Sequence, residues 1–421
     1  MKKFYQRTNK PSFNCDVLII GSGPGGSGAA YGSASNGVDA VFIDKKRKIG
    51  SPVECGEVMD PSLLHKFNVD IDPSLIEAEQ DGTIFWINEQ IKAENRSPLW
   101  KSITVDRSRL DKYFAWKATN VDANILVDAE LCDVKFDNGK AILATIKTAG
   151  RKIKIKPKII IAADGTNSKV AEIQGIQRPG KNEIGVTASF EMTNLNLIDP
   201  KKVQMFFDKF TFGGYGYIIP KSEHSANVGL GKLGISKHPW KALKTFINKN
   251  EIVRKQVEDA GILEIKMGYT PITGPTLPLR KGNVLYVGDA AGQNLSHVGE
   301  GTFPSYVCGR IAGETAAAAI KKETIDDLDE YKNKIDRTIG PMFEECATIR
   351  DNVFAIYESD LNKYDKLFLI GLMIGEIIPP KYYKDLKNWC NLPVQERIKK
   401  VESLIKKEGG GNYLDISLQK E

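Results

Sequence analysis

The chain has no long apolar run. None of its stretches reaches the roughly 18 apolar residues of a membrane span, and the nearest, Leu367 to Pro379, is shorter and carries Glu376. No membrane-spanning helix is therefore expected. The basic start, MKKFYQRTNK, passes into an apolar stretch too short for a secretory signal, so the expected location is cytoplasmic, with peripheral contact at the inner face of the cell membrane as a further expectation. Cysteine is sparse and unpatterned. The six residues at 15, 55, 132, 308, 346 and 390 form no C-x-x-C and no metal-ligand spacing, which argues against a zinc site or a Cys-ligated iron–sulfur cluster and predicts thiols. Whether Cys308 and Cys346 pair is left open by the sequence. Internal repeats and nucleic-acid motifs are lacking as well, so no nucleic-acid partner is expected.

What is present is the composition of a globular chain. Its 421 residues are 41% hydrophobic and 27% charged, enough for two domains or one interrupted domain. The net charge of +6 is spread among interspersed lysines and acids, which a solvated surface explains as well as a basic patch does. From Lys381 to Glu421 nine Lys/Arg face six Asp/Glu, a small excess that makes this tail the sequence's candidate for contact with anionic headgroups.

One stretch organises the rest: Cys15 to Asp44. The apolar, β-branched Val17 to Ile20 reads as a buried strand and runs into Gly21-x-Gly23-Pro24-Gly25-Gly26, a G-x-G-x-x-G turn. The first glycine permits the tight turn, the second lets backbone approach a pyrophosphate, and the third lets the next helix pack on the strand. That helix, Gly25 to Ser35, is built of small residues and ends at Asn36-Gly37. A second strand, Ala40 to Ile43, delivers Asp44, 18 residues past Gly26, where a carboxylate can accept ribose hydroxyls. This is a dinucleotide seat, and by itself it does not separate FAD from NAD.

Further motifs follow in chain order. Ser51 to Glu57 (SPVECGE) leaves the seat directly after the second strand, which places Cys55 towards the reactive end of a ligand; a small buried side chain is the competing reading. Thr83 to Ile87 and Ser102 to Val105 are short strands of an antiparallel insertion. A helix over Val105 to Ala118 puts Leu110, Phe114 and Ala118 on one face, with Arg107 at its entrance. Strands are predicted at Asn124 to Leu131, Ala141 to Ile146, Ile153 to Ile155 and, separately, from Lys158 into Ala163-Asp164-Gly165. Alternation from Glu183 to Leu233 predicts an antiparallel sheet with Tyr215-Gly-Tyr217-Ile-Ile-Pro220 near its middle, crossed by one helix from Pro239 to Ala260. Val287-Gly288-Asp289 ends another strand and precedes Gly299-Glu-Gly301-Thr302 and a long helix. That helix would aim its positive end at the ligand, suited to the negative charge of a reduced flavin. The last hundred residues read as helices over Leu328 to Arg350 and Asn352 to Ile374, packing into the core or forming a lid.

Gly21 to Gly26 with Asp44, Arg107-x-x-Leu-Asp111, Ala163-Asp-Gly165 and Val287-Gly-Asp-Ala-Ala-Gly292, in this order, resemble the FAD-dependent superfamily of aromatic hydroxylases, halogenases and geranylgeranyl reductases. Within it, the Ser51–Glu57 stretch, Tyr215 to Pro220 and Gly299 to Thr302 are similar to the geranylgeranyl reductases, including archaeal enzymes that saturate digeranylgeranylglycerophospholipids. Tyr217 and Ile219 stand where those enzymes usually carry Trp and Phe. The resemblance implies bound FAD touched by Gly25, Asp44, Cys55, Gly56, Arg107, Leu131, Asp289, Gly301 and Thr302, and Gly21, Gly23, Pro24, Gly26, Asp164 and Gly288 complete the expected cofactor-binding set. It also implies a prenyl lipid against Tyr215, Tyr217 and Pro220, with Cys55 as the catalytic residue and no metal.

The expected fold is α/β: a Rossmann-like FAD-binding domain (14–70, 104–182, 265–325), an antiparallel substrate sheet (71–103, 183–264) and a C-terminal helical region (326–421). The expected activity is flavin-dependent saturation of prenyl C=C bonds. A flavin monooxygenase or halogenase is the alternative, although neither a pyridine-nucleotide groove nor a Trp-x-Trp-x-Ile-Pro motif is evident. No second G-x-G-x-x-G offers a nicotinamide domain, so the electron donor is reduced ferredoxin or transiently bound NADPH. A monomer is expected.

Overall fold

The computed structural model describes residues 8–95, 101–234, 239–275, 277–408 and 414–418. The tail read as a lipid contact lies partly outside them. The chain forms two compact units, each assembled from three segments: 1–52, 107–180 and 270–345 in the first, and 53–106, 181–269 and 346–421 in the second.

The first unit is built on the parallel sheet that the apolar runs foretold. Ser12–Ile20 lies between Ala40–Ile43 and Arg151–Ala162, parallel to both, and Val284–Tyr286 and Asn124–Leu126 extend the sheet on either side. Within the sheet the runs 17–20, 40–43, 159–162 and 284–286 are apolar and buried because both faces are covered, and Leu18, Ile20, Val41, Ile160 and Tyr286 share one buried core. Two of the expected strands, at 153–155 and from 158, are one: Arg151–Ala162 runs for 12 residues. Residues 154–162 pair parallel with Ser12–Ile20, while along the other edge residues 151–155 pair antiparallel with Lys140–Thr148 and residues 160–162 parallel with Val284–Tyr286, so Pro157, opposite Cys15, falls where that edge changes partners. Conversely, the expected Asn124–Leu131 strand is two, Asn124–Leu126 and Ala129–Asp137, divided at Asp128 with φ 52°.

The second unit carries an eight-stranded sheet in which Ile184–Thr193, Lys202–Phe207, Gly214–Pro220 and Ser225–Leu233 are joined by Gly82–Ile87, Ile91–Asn95, Leu414–Leu418 and, at the opposite edge, Gly261–Pro271. Phe190, Phe206, Ile218 and Leu230 pack on one side of it under Leu243, Phe246 and Ile247. The helix expected over 239–260 is two, Pro239–Lys249 and Glu251–Gln256. Asn250 separates them: its side chain accepts from Val253 N at 2.9 Å and caps the second helix, while Nδ2 donates to Asp208 at 2.6 Å.

The units divide the chain differently from the sequence-based boundaries. Residues 53–70 fall in the second unit because Val58–Met59 pairs with Ser102–Val105 in a three-stranded sheet completed by Ile76–Gln80. The C-terminal residues are helical over Glu330–Thr338, Gly340–Glu358 and Lys363–Ile374, and they end in the unforeseen strand Leu414–Leu418, antiparallel to Ile91–Asn95. Six cysteines, all described, form no disulfide, so Cys308 and Cys346 are not bridged.

Candidate functional site

In the first unit the glycine turn stands where the sequence put it. Gly21 has φ +101°, and a Cβ there would lie 2.2 Å from the Ala163 carbonyl oxygen, so the turn and the Ala163–Gly165 turn exclude any side chain between them. A Cβ on Gly26 would meet the Gly21 oxygen at 1.9 Å, and one on Gly25 would meet Val287 Cγ1 at 2.9 Å. At Gly23 the same atom would meet nothing within 4 Å. That is the open side of the turn, and Pro24 begins the helix Pro24–Ala34 there. Asp44 at the end of the second strand accepts from Ser22 N (3.0 Å) and Ser22 Oγ (2.6 Å) on one oxygen and from Lys46 N (2.8 Å) on the other. A carboxylate has about four lone-pair sites, so it keeps capacity for a ribose hydroxyl.

Arg107 is the first residue of the helix Arg107–Asn120, at the entrance expected from the sequence. Its guanidinium donates to Thr302 Oγ1 at 2.6 Å and Asp111 Oδ1 at 3.0 Å, joining two of the expected motifs. Asp289 opens the 3₁₀ turn Gly288–Ala291, accepts from Thr166 Oγ1 at 3.1 Å, and has its other oxygen 3.4 Å from where a Gly301 Cβ would be. Gly288, at φ +65°, is held against Ser305.

Three expected groups have protein partners of their own. Asp164 has one oxygen at a helix start, accepting from Lys169 N (2.7 Å) and Val170 N (3.2 Å), while its Oδ1 is buried without a hydrogen-bond partner, and burial pushes its pKa up. Leu131 has its side chain in the core beneath the sheet, two residues past Ala129, whose N–H reaches the Asp44 carbonyl. The long helix Thr302–Lys321 does not present all its first N–H groups to a ligand, because Glu300 Oε1 accepts from Thr302 N (2.8 Å) and Phe303 N (3.2 Å). Burial raises the Glu300 pKa, with Arg107 pulling the other way.

Sequence reasoning missed the support beneath Asp289. Gln293 Oε1 accepts from Gly288 N at 2.8 Å, its Nε2 donates to Tyr331 Oη at 2.9 Å, and Tyr331 donates to the Tyr286 carbonyl at 3.1 Å. The segment 293–298 has no motif spacing, and its only sequence signal is the polar run itself. Within it, Asn294 Oδ1 and Ser296 Oγ are buried without hydrogen-bond partners. A polar ligand along the segment between Asp289 and Thr302 would satisfy such groups, so the residues present fit a flavin dinucleotide.

The second unit holds the other group of expected residues. Cys55 is half-buried, and its Sγ accepts from Glu57 N at 3.2 Å. Gly56 rests on the strand Gly214–Pro220, since a Cβ would come within 2.9 Å of Ile219 Cδ1 and 3.8 Å of the Tyr217 ring. Burial pushes the Tyr217 phenol up. Room for that phenol comes from Gly229, where a Cβ would lie 2.5 Å from Tyr217 Oη. Tyr215 and Tyr217 rings are 6.3 Å apart. Pro220 turns its carbonyl to Thr104 Oγ1 (2.8 Å) and Gln80 Nε2 (3.1 Å), a framework contact. The buried Glu57 beside Cys55, with Lys221, Lys266 and Asn227 around it, was not foreseen.

The chain matches the family described as FAD binding domain over residues 14–302. It is 36% identical over 322 residues to the digeranylgeranylglycerophospholipid reductase of Methanococcus aeolicus, covering 76% of this chain and 81% of that protein. With the protein of the same name from Methanocaldococcus jannaschii the identity is 35% over 323 residues, with the same coverage. Among solved structures, a geranylgeranyl bacteriochlorophyll reductase-like protein of Thermoplasma acidophilum shares the fold with a TM-score of 0.78 at 23% identity, covering 94% of this chain and all of that one. FAD is thus the cofactor, and the chain belongs to the FAD-dependent geranylgeranyl reductase family.

Proposed function

We propose that this protein is an FAD-dependent reductase that saturates C=C bonds in the geranylgeranyl chains of isoprenoid glycerophospholipids. The observation that carries the reading is the Cys55–Glu57 turn seated on the Tyr217 and Ile219 side chains. This surface offers a polarizable sulfur, a phenol held protonated by burial, and aliphatic carbon, and relatives named for digeranylgeranylglycerophospholipid reduction support the substrate class.

Gly21 to Gly26 with Pro24 receive the pyrophosphate, and Asp44 receives the ribose. Asp289, Gly288 and Gly301 receive the polyol chain, with Arg107 and Thr302 beside them and the Asp164 and Leu131 turns as framework. When bound and reduced, FAD would supply a hydride to one alkene carbon, and the other carbon would take a proton from an acid near the ring. The chain's own contribution is to fix the alkene, which has no polar handle, by shape: Cys55, Gly56, Tyr215 and Tyr217 orient it, with Pro220 holding the end of their strand. Reduced ferredoxin or transiently bound NADPH is the proposed electron donor, and a monomer the proposed state.

No helix among the described residues is long and apolar enough to cross a membrane. Access to a bilayer lipid then requires contact with the surface. Gly261–Pro271 supports this: Leu263, Ile265, Met267 and Tyr269 alternate along an edge strand and are exposed on one face.

The test is Cys55→Ser, assayed with dithionite and geranylgeranyl lipids and read by product mass. Bound FAD stays and saturation falls about tenfold or changes its positions, a barrier change of about 1.4 kcal/mol. The same bonds reduced at the same rate would remove Cys55 from the site. Oxygen consumption with hydroxylated product and no saturation would overturn the reductase reading in favour of a monooxygenase.

A further inference from the structure

Four carboxylates, those of Glu57, Glu77, Glu191 and, 3.5 Å from Lys266 Nζ, Glu264, meet two ammonium groups inside the second unit. Glu57 Oε2 accepts from Lys266 Nζ at 2.6 Å, Lys221 Nζ at 2.9 Å and Asn227 Nδ2 at 2.9 Å. Both lysines also reach Glu191 Oε2 at 2.8 Å, and Lys221 reaches Glu77 at 3.0 Å. The Lys266 and Glu57 side chains are 1% and 2% exposed. Burying such a pair costs desolvation that its attraction roughly repays, and well-packed apolar residues would be as stable. Stability alone therefore does not account for the cluster.

Its distinctive product is a fixed position. Three donors on one oxygen, from the end of one strand and from two others, leave the Glu57 carboxylate one place to be. Its backbone is held at φ 71°, a conformation that a residue with a side chain keeps only under external constraint. Asn227 Nδ2 ties the turn a second time, at Gly56 O (3.0 Å), and Lys266 Nζ orients that amide through Oδ1 (3.0 Å). The Glu57 N–H then reaches Cys55 Sγ.

We propose that Glu57 is a positioning residue: clamped by Lys221, Lys266 and Asn227, it holds the Cys55–Glu57 turn so that the Cys55 sulfur keeps one place on the Tyr217 surface. The consequence for catalysis rests on the role proposed above for Cys55; the positioning itself does not.

Full-length, FAD-loaded Glu57→Gln and Asn227→Ser are alkylated with iodoacetamide, and each cysteine peptide is quantified by mass. Cys55 labelling rises at least fivefold, while the buried Cys15, Cys308, Cys346 and Cys390 label as in the wild type. With the lipid substrate, kcat falls at least tenfold, with KM within twofold and FAD content unchanged. Unchanged Cys55 labelling in either folded variant overturns the proposal, and so does a rise shared by the four buried cysteines, which would mean general loosening. If Glu57→Gln does not fold, Asn227→Ser carries the test alone. A selective rise in Cys55 labelling with unchanged kcat upholds the positioning and counts against the catalytic role of Cys55.

Discussion

At Glu57 burial works against the charged form, and the ammonium groups of Lys266 and Lys221 outweigh it, taking the carboxyl from 4.5 to about 2. The folded value lies below the unfolded one, so the stabilisation is full above about pH 4.5 and is lost as the pH falls towards about 2, a contribution on the order of 3 kcal/mol. The melting-temperature gap between wild type and Glu57→Gln is therefore expected to be wide at pH 6 and to narrow steadily below pH ~4.5; a gap independent of pH would contradict this assignment. Asp289 makes a different prediction. Removing an ionised acceptor from a hydroxyl costs about 1.5–3 kcal/mol, so Asp289→Ala should bind FAD about 10- to 100-fold more weakly, read as flavin absorbance per chain after gel filtration. Unchanged flavin content would show that Asp289 does not touch the cofactor. Asp289 was visible in the sequence because a strand, small neighbours and a glycine motif converge on it. Glu57 was not, since its partners Lys221 and Lys266 lie 164 and 209 residues further on.

Among the elements, the pairing of Pro24–Ala34 with Thr302–Lys321 shows what small residues accomplish. A Cβ on Gly309 would lie 2.0 Å from the Gly25 carbonyl oxygen, and one on Gly32 would lie 2.3 Å from that of Arg310. The two backbones touch, and the helix carrying Thr302 is thereby set directly behind the glycine turn. Gly309→Ala should force them apart at a cost of about 1–3 kcal/mol, lowering both melting temperature and FAD content; a variant with wild-type values would mean the crossing yields without effect. The sequence showed two helices of small residues but not that they meet. It also carried one helix through Asn250, because apolar spacing continues across that residue while its capping role depends on local geometry. The strand Leu414–Leu418 had no legible signal: five residues become a strand only by pairing with Ile91–Asn95.

For the whole molecule, the exposed stripe on Gly261–Pro271 leads to a measurable property. Leu263 and Ile265 are 64% and 61% exposed, and a carboxylate among them would oppose entry into the interfacial region. The Ile265→Glu protein should co-sediment with anionic phospholipid vesicles several-fold less than wild type, with flavin content intact; equal binding would remove this strand from the proposed contact. The sequence by itself determined the dinucleotide seat, since strand, turn, helix and acid all lie within Cys15–Asp44 and local spacing fixes their geometry. It also marked the apolar runs that become the buried strands beside that seat. Only the tertiary structure decided which unit Cys55 joins, that Asp164 and Glu300 cap helices, and that two buried lysines surround Glu57. Those outcomes depend on pairing between segments far apart in the chain, where each partner's composition is compatible with many neighbours and only folding selects one.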